Sequence, residues 1–581
     1  MVSKIFGSCL LGFLFTNTAL AATNCPLLGP DFPAPKNLSS SQTFQAALTN
    51  LTQLLLQSIS SGNTTYGPLD AVKTSFSIEM FSIHEERSLF SSQFSAPALA
   101  TVPYGVKNVT ADTMFRIGSS TKLISAYTFL IQAGDRKWND PVTKYVPELL
   151  EAAEALNATQ DSIDYVAWED VTLWELASHM AGVGRDYAGF GELDGLLDPA
   201  PDPTALGLPP LNATEVATCA GGSMCSRAQF FAGFTERHPV FAPSTSPVYS
   251  NAALQIFAYA LENITGIDMP TMVSNSLITP LNLTHSSWTV PTSNASGVLP
   301  EGNSWSLDLG DETAAGGMYS STSDMTKIAR SILTSSLISP AQTRRWMKPR
   351  SLLSAGNAAV GAPWEIYRLE LSPNDRVVDI YTKSGDLPGY SSVFVLAPDF
   401  DLGFTVLTAG PSATTNSRIL GGLISDAVFQ AVEDAAREEA EANYVGTYEA
   451  ANKSLKSTIT ITIDPMKPGL GVTSWISNGT DMLSPTVEAA GIAAPSARLY
   501  PSGLKKDLGN GETEVGFRAV FENLNAGVIG GIFGSACETW FSVDSTYWGT
   551  VATDEFLVTV GEDGKAKSVS PRALRVELVK S

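Results

Sequence analysis

Residues 114–123 of this chain read Met-Phe-Arg-Ile-Gly-Ser-Ser-Thr-Lys-Leu, with Ser119 and Lys122 three positions apart. Apolar residues continue after Lys122 at helical spacing and predict a buried helix that begins at Ser119. Residues three apart on a helix are neighbours, so the Lys122 amine could take the proton of the Ser119 hydroxyl during nucleophilic attack. The hydroxyl would also lie near the positive end of the helix dipole. The stretch therefore predicts a serine nucleophile with its own base.

Two further short motifs follow this stretch along the chain, Tyr249-Ser250-Asn251 and Lys383-Ser384-Gly385. The Ser-x-x-Lys spacing also occurs at Ser502 to Lys505, beside a proline and a glycine, where we expect only a surface turn. The other two motifs occur once each. Three motifs in one order are far more specific than any of them alone, so we take Ser119 as the centre of a candidate site.

Length and charge limit the classes of function. A chain of 581 residues is too long for one ordinary core and predicts at least two domains. An apolar fraction of 44% is typical of a folded globular protein. The formal net charge of −22 argues against a nucleic-acid partner, because phosphate contacts dominate such binding.

The first residues carry the pattern of a signal peptide. Lys4 is followed by an apolar run, and Ala19-Leu20-Ala21 forms a small-x-small cleavage site. Residues 1–21 are therefore predicted to be removed, leaving a secreted, extracellular protein that starts near Ala22. A membrane anchor is the alternative, but the apolar run is too short, and no later stretch is long enough to span a bilayer.

Sequons and cysteines agree with secretion. A density of eleven Asn-x-Ser/Thr sites predicts several glycans. These sites are Asn37, Asn50, Asn63, Asn108, Asn157, Asn212, Asn263, Asn282, Asn294, Asn452 and Asn478. Four cysteines lie beyond the signal peptide and predict two disulfides, for which three pairings are possible. We favour Cys219 with Cys225, which leaves Cys25 with Cys537. A zinc site is the alternative, but no histidine stands at ligand spacing from these cysteines, so no metal is expected.

Periodicity along the chain predicts an α+β fold. A helix over residues 41–59 and a strand over 76–83 precede the Ser119 helix, and strands over 377–383, 392–396 and 403–407 come before a helix over 425–443. This order predicts an antiparallel sheet that the N-terminal strands begin, a helical section interrupts and later strands complete, as one domain over residues 22–442. Alternating short runs then predict a separate β-rich domain over residues 443–581, either a small barrel or a sandwich.

Two features near the predicted site have more than one interpretation. Residues 183–246 are rich in Gly, Pro and Asp, and we interpret them as an insertion that lines the cleft, with a glycosylated surface insertion as the alternative. His179 could serve as a catalytic base. Its apolar neighbours favour a structural histidine at a helix end instead.

With these motifs the chain resembles the serine β-lactamase and penicillin-binding-protein superfamily, in particular the class C type and its esterase relatives. Supporting phrases are Phe115-Arg116-Ile117-Gly118, Gly316-Gly317 and Pro388-Gly389-Tyr390-Ser391. The resemblance covers roughly residues 44–440 and implies that residues 22–442 form a catalytic domain with an antiparallel sheet flanked by helices plus an all-α subdomain. Within the superfamily the chain is most similar to secreted fungal β-lactamase-like proteins with an extra β-rich C-terminal domain.

The resemblance implies a role for each motif residue. Ser119 is the nucleophile, and Lys122 and Tyr249 share the work of general base, with Lys383 as a third cationic neighbour. The backbone N–H groups of Ser119 and Asp386, the residue after Ser384-Gly385, would form the oxyanion hole. Asn251 would hold the acyl group, and Lys383 with Ser384 would meet a substrate carboxylate or the leaving group. No metal or organic cofactor is implied.

Asp386 departs from the pattern of the family. This departure bears on the substrate, because the Asp386 carboxyl group would lie beside the oxyanion hole. If it points into the cleft, anionic substrates such as penicillins are disfavoured. We therefore expect a secreted serine hydrolase that forms an acyl-enzyme from a small-molecule or peptide-like ester or amide. The alternatives are an acyltransferase or thioesterase of secondary metabolism, and a non-catalytic ligand-binding protein of the same fold.

Overall fold

The computed structural model describes residues 24–155, 161–187, 203–212, 215–216, 219, 225–373, 376–525 and 537–581. The predicted signal peptide, residues 1–21, and the sequon at Asn157 lie outside the described residues. The chain forms two compact units. The larger unit is Ala34–Ser372 with Val377–Ala436. The smaller unit contains the described parts of Met1–Pro33, Pro373–Arg376 and Arg437–Ser581.

An eight-stranded antiparallel sheet forms the centre of the larger unit. Its strands in chain order are β1 (Ser75–Ser82), β2 (Phe90–Phe94), β3 (Ser351–Leu352), β4 (Ala358–Val360), β5 (Glu365–Leu371), β6 (Arg376–Leu387), β7 (Tyr390–Ala397) and β8 (Leu402–Ala409). They lie in the order β2-β1-β8-β7-β6-β5-β4-β3. The N-terminal strands thus complete a sheet whose other strands come more than 250 residues later.

Helices cover both faces of this sheet. They are α1 (Gln42–Ser61), α2 (Thr121–Gln132), α3 (Pro147–Ala155), α4 (Leu173–Ala177), α5 (Arg227–Phe234), α6 (Asn251–Thr265), α7 (Met269–Val273), α8 (Thr313–Gly316), α9 (Thr322–Leu333), α10 (Pro340–Trp346) and α11 (Ala413–Tyr444). One apolar cluster joins the sheet to α1 and α11, and a second joins it to the helices between α2 and α10. Because both faces are covered, all eight residues of β1 are buried.

The smaller unit is a closed β-barrel. Its strands are β9 (Gly446–Ala450), β10 (Thr458–Thr462), β11 (Leu470–Ser477), β12 (Thr480–Asp481), β13 (Ser496–Gly509), β14 (Glu512–Glu522), β15 (Glu555–Val560), β16 (Ala566–Pro571) and β17 (Leu578–Lys580), with one short helix, α12 (Pro485–Ala489). Eight of them follow the order β10-β9-β17-β16-β15-β14-β13-β11, and β10 also pairs with β11, which closes the ring. Of the two predicted architectures for this domain, the structure shows the barrel and not the sandwich.

Residues 24–33 belong to the barrel unit, whereas the predicted bounds placed them in the catalytic domain. Cys25 is joined to Cys537, and the Asn24 amide donates to Glu522 at 2.6 Å. The other disulfide joins Cys219 to Cys225. Both are the pairings that the sequence favoured.

The exposure of the sequons and the character of the helices are two further features of the described residues. Of the eleven sequon asparagines, the ten that the structure describes are all exposed to solvent. Among the helices of the described residues, none combines the length and apolar character that a bilayer crossing requires.

Candidate active site

Ser119 lies in a single 3₁₀ turn, Gly118–Ser120, that leads into α2. The predicted helix start was two residues early, because α2 itself begins at Thr121. The next residue, Ser120, donates to the Lys383 carbonyl at 3.0 Å and shares a hydrogen bond with Ser392 at 2.7 Å. The turn that carries Ser119 is therefore fixed to strands β6 and β7 as well as to its own helix.

The Lys122 ammonium is buried directly beside Ser119. Its Nζ lies 3.0 Å from Ser119 Oγ, 2.6 Å from Asn251 Oδ1 and 2.7 Å from the Ala315 carbonyl oxygen. Burial lowers the pKa of Lys122 below its usual value, and the nearby Lys383 charge lowers it further. An amine with a lowered pKa next to a serine hydroxyl is suited to accept the hydroxyl proton.

The Tyr249 ring lies between cationic groups. Lys122 Nζ and Lys383 Nζ are 4.8 Å and 5.4 Å from the ring centre, and the Arg185 guanidinium is 4.8 Å away. Burial raises the pKa of the phenol, but Lys122, Lys383 and the hydrogen bond to Ser119 more than offset it and lower the pKa to about 8. Tyr249 is thus a second candidate base for the Ser119 proton.

Glu365, on strand β5, is the partner of Lys383 and Ser384. Lys383 Nζ donates to its carboxylate, and the Ser384 N–H and Oγ donate to Oε2 at 3.0 and 2.8 Å. Burial would lower the Lys383 pKa, but the Glu365 carboxylate and Tyr249 raise it, so this lysine stays protonated. A carboxylate of the protein thus accepts from the two residues that the resemblance implied would meet a substrate carboxylate or the leaving group.

Two glycines allow the backbone of the Ser119 turn to approach β6. A methyl carbon added to Gly385 would lie 2.5 Å from the Ser119 nitrogen. One added to Gly118, whose φ is +49°, would lie 2.6 Å from the Asp386 nitrogen. The N–H groups of Ser119 and Asp386, the implied oxyanion donors, therefore lie on backbone segments in direct contact.

The Asp386 carboxylate is held by three donors of its own. It accepts from Ser391 Oγ at 2.7 Å, from Thr414 Oγ1 at 2.8 Å and from Arg418 at 2.8 Å. Burial raises its pKa, but these hydrogen bonds and the Arg418 charge lower it overall, so the group is ionised. The predicted bias against anionic substrates depends on an Asp386 carboxyl group that points into the cleft, and the observed carboxylate is paired with Arg418, which offsets its charge.

A cleft of about 860 Å³ opens onto Ser119. From residues 183–246, the described residues that line it are Arg185 and Asp186. Asp186 accepts from the Asn251 side-chain amide at 2.6 Å, and the Asn251 N–H donates to the Arg185 carbonyl at 2.8 Å. The start of this segment thereby orients Asn251, whose carbonyl oxygen faces Lys122. Other lining residues are Tyr249, Glu312, Glu365, Ser384, Gly385, Asp386, Pro411, Thr414 and Arg418.

His179 is buried against the site, two residues after the end of α4. Its backbone is left-handed, with φ of +63°, and its ring stacks on the Tyr249 ring with centroids 4.4 Å apart. Nδ1 accepts the Ser250 N–H at 3.2 Å, and burial together with the nearby cations lowers its pKa well below the usual value. A neutral imidazole that supports Tyr249 is a structural role, but one inside the site.

The second Ser-x-x-Lys sequence has none of these contacts. Ser502 and Lys505 lie on exposed strand β13, at a register shift against β14, where the Ser502 hydroxyl donates to the Gly516 carbonyl at 2.9 Å. The predicted surface turn is therefore a strand irregularity. The sequence motif alone did not distinguish the two serines, whereas the surroundings of Ser119 do.

Comparison with known proteins shows which protein families this chain resembles. A family model described as β-lactamase matches residues 100–428, and one described as β-lactamase-like-like, C-terminal domain, matches residues 436–581. A β-lactamase-like protein of Arthroderma benhamiae is 30% identical over 605 aligned positions, covering 98% of each chain. A probable hydrolase, M10, of a Phoma species is 28% identical and covers 64% of this chain and 61% of its own.

Among solved structures, the octameric penicillin-binding protein homologue from Pyrococcus abyssi aligns with 92% of this chain and 100% of its own, at 14% identity and a TM-score of 0.47. The first family model spans more than half of the chain, and the fungal relative matches it along almost its full length. These matches confirm the predicted resemblance and the α+β fold with its β-rich C-terminal domain. The chain belongs to the β-lactamase-like family of hydrolases.

Proposed function

We propose that this protein is a secreted serine hydrolase that cleaves an ester or amide through an acyl-enzyme on Ser119. The observation that carries the proposal is the hydrogen bond between Lys122 Nζ and Ser119 Oγ, at 3.0 Å, in a cleft that also contains Tyr249. A serine hydroxyl is a weak nucleophile without an adjacent base. Here two groups with lowered pKa values lie beside it.

The reaction begins with attack of Ser119 Oγ on the acyl carbonyl carbon. The Lys122–Tyr249 pair accepts the hydroxyl proton and returns it to the leaving alkoxide or amine as the C–O or C–N bond breaks. The N–H groups of Ser119 and Asp386 stabilise the oxyanion. Water then attacks the acyl-enzyme, with the same pair as base, and releases the acid and free Ser119.

Because Lys122 and Tyr249 both contact Ser119 and each shifts the pKa of the other, their protonation states are coupled. A protonated Lys122 with a tyrosinate and a neutral Lys122 with a neutral phenol have the same net charge. Asn251 contributes by holding Lys122 through its carbonyl oxygen at 2.6 Å. This position also lets Asn251 meet the acyl group of a substrate.

Secretion is supported by the predicted signal peptide, by the two disulfides and by the exposed sequons. Disulfides persist in oxidising compartments, and N-glycans are added in the secretory pathway. N-terminal sequencing of protein recovered from culture medium should start near Ala22. Retention of residues 1–21 in protein held inside the cell would contradict secretion.

The acyl-enzyme is tested by intact-mass analysis of deglycosylated protein treated with a fluorophosphonate and with p-nitrophenyl esters. We expect one adduct on wild-type protein and none on Ser119→Ala. Ser502→Ala is the matched control, because it removes the other Ser-x-x-Lys serine and should label like wild type. No adduct on folded wild-type protein would overturn the proposal. Products formed in added alcohol would separate hydrolysis from acyl transfer.

A further inference from the structure

We propose that Glu365 is a specificity-determining residue that fills the anion-binding position of the cleft with the protein's own carboxylate. Substrates with a carboxylate on the leaving group are then rejected, and uncharged esters or amides are accepted. The inference rests on the proposed role of Ser119 and names the substrate class of that site.

The contacts of Glu365 are those that a substrate carboxylate would need. Its two oxygens accept from the Lys383 ammonium, the Ser384 N–H and the Ser384 hydroxyl. Lys383 is almost fully buried, and its other hydrogen bond goes to the Ser384 carbonyl at 2.7 Å. About a quarter of the Glu365 side chain, 27%, is exposed, and it lines the cleft that contains Ser119. The carboxylate thus lies between the lysine and an incoming ligand.

The position of Lys383 assigns this subsite to the leaving group. Its Nζ lies 5.4 Å from the centre of the Tyr249 ring, and Tyr249 belongs to the pair that returns the proton to the leaving group. A charge carried by the leaving group would therefore meet the Glu365 carboxylate that is bound to Lys383. A negative charge on the leaving group and the Glu365 carboxylate would repel strongly in this partly buried site.

The other cations of the described cleft wall are also paired. Arg185 lies 3.2 Å from Asp186, and Arg418 lies 2.8 Å from Asp386. Lys122, which is fully buried and does not line the cleft, is held by Ser119, Asn251 and the Ala315 carbonyl. Within the residues that the structure describes, every lysine and arginine of this wall already has a carboxylate or carbonyl partner. A substrate anion would have to displace one of them.

A matched pair of substrates tests the proposal, namely 3-acetoxybenzoate and its methyl ester, which share the acetyl group and differ in the leaving-group charge. At pH 6.5 we expect wild-type protein to favour the methyl ester in kcat/KM by about 100-fold, since a like-charge contact costs several kcal/mol. In Glu365→Gln that preference should fall at least about tenfold, because Lys383 becomes available to the anion. Equal preference in both proteins would overturn the proposal.

Glu370→Gln is the control for the loss of one negative charge. Glu370 is exposed on the same strand, β5, and does not line the cleft. It should keep the wild-type preference. A similar drop in preference in this variant would assign the effect to net charge and overturn the role of Glu365. Thermal unfolding of each variant checks that the fold is retained.

A binding measurement separates this proposal from the proposed function. Titration calorimetry of S119A and of S119A with E365Q, each against 3-acetoxybenzoate and its methyl ester, does not need catalysis. We expect E365Q to tighten binding of the anion at least about tenfold and to leave the methyl ester unchanged. Unchanged anion binding would overturn the role of Glu365 even if Ser119 is the nucleophile. Tightened binding in E365Q together with no Ser119 adduct on the wild-type protein would retain the role of Glu365 and reject the hydrolase.

Discussion

The imidazole of His179 and the phenol of Tyr249 form a stack, with ring centroids 4.4 Å apart and planes inclined by 28°. The stack fixes the phenol plane between Lys122 and Lys383. His179→Asn removes the stacked ring, while asparagine tolerates the left-handed backbone at this position. A stack of about 0.5–1.5 kcal/mol predicts a fall of about 2- to 12-fold in kcat/KM for a neutral ester.

The pH profile distinguishes positioning of Tyr249 from a merely structural role of His179. In His179→Asn the apparent pKa of the rising limb should shift, because the contact of Tyr249 with the two ammonium groups is loosened. His238→Asn is the matched control, since His238 is exposed and lies away from the cleft lining. An unchanged rate and profile in His179→Asn would show that the stack does not position Tyr249.

The pKa of Tyr249 determines the pH dependence that we expect for acylation. Burial raises its pKa, but Lys122 and Lys383, with Arg185 also facing the ring, leave it at about 8. Because the ionised form accepts the proton, kcat/KM should rise with pH and level off above about 8, and at pH 6 it should be roughly 100-fold below the plateau. Steady-state kinetics between pH 5.5 and 9.5 give this profile.

Tyr249→Phe is the direct test of that assignment. It retains the ring, and hence the stack on His179, but removes the titrating oxygen. We expect kcat/KM to fall about 10²- to 10⁴-fold, with loss of the limb near pH 8. A wild-type profile that is flat between pH 6 and 9 would exclude the Lys122–Tyr249 pair as the base.

We expect Gly385→Ala to lose activity, even though alanine adds only a methyl group. The added methyl carbon would lie 2.5 Å from the Ser119 nitrogen and 2.6 Å from the Ser120 nitrogen, so β6 must move away from the turn. Displacing one oxyanion donor costs about 10²- to 10³-fold in kcat. Initial rates on a neutral ester, together with the unfolding midpoint, measure the effect.

Gly421→Ala is the matched control for that substitution. Gly421 lies inside helix α11, and an added methyl carbon would meet Val393 at 3.6 Å, an ordinary contact. This variant should retain full activity and gain about 0.5–1 kcal/mol in the free energy of unfolding, because alanine favours the helix. Equal activity losses in the two variants would show that Gly385 has no special part in the oxyanion hole.

The two disulfides should differ in their effect on stability. Cys25–Cys537 closes a loop of 512 residues and Cys219–Cys225 one of 6, and a longer loop constrains the unfolded chain more. Replacing the first pair by serines should lower the free energy of unfolding by about 2–5 kcal/mol, and replacing the second should lower it less. Guanidinium unfolding of both variants compares them, and a larger loss for the second pair would contradict the prediction.

The sequence predicted the parts of the site that are local in the chain. Ser119 and Lys122 are one helical turn apart, and apolar periodicity indicated α1 and β1 without knowledge of their partners. Glu365 could not be found in this way, because it meets Lys383 only when β5 pairs with β6. No short motif contains both residues.

Arg418 was missed for a related reason, and for His179 the sequence favoured a structural role but did not indicate that its ring supports Tyr249. Arg418 follows β8 on α11 and meets Asp386 only after the sheet and that helix pack together. His179 lies near the end of a helix among apolar residues, a setting that predicts ordinary core packing. The left-handed backbone that turns its ring onto Tyr249 has no signature in a single sequence.

Closure of the C-terminal barrel has a consequence for behaviour at high concentration. The eight strands of the ring pair on both sides, and the additional strand β12 is only two residues long. Unpaired strand edges are where sheets of different molecules join and aggregate. Within the described residues, the long edge that remains is the second half of β13, where residues 502–509 are exposed and only residues 497–499 pair with β11. We therefore expect edge-to-edge contacts between barrels to form at this half of β13 rather than along the rest of the ring.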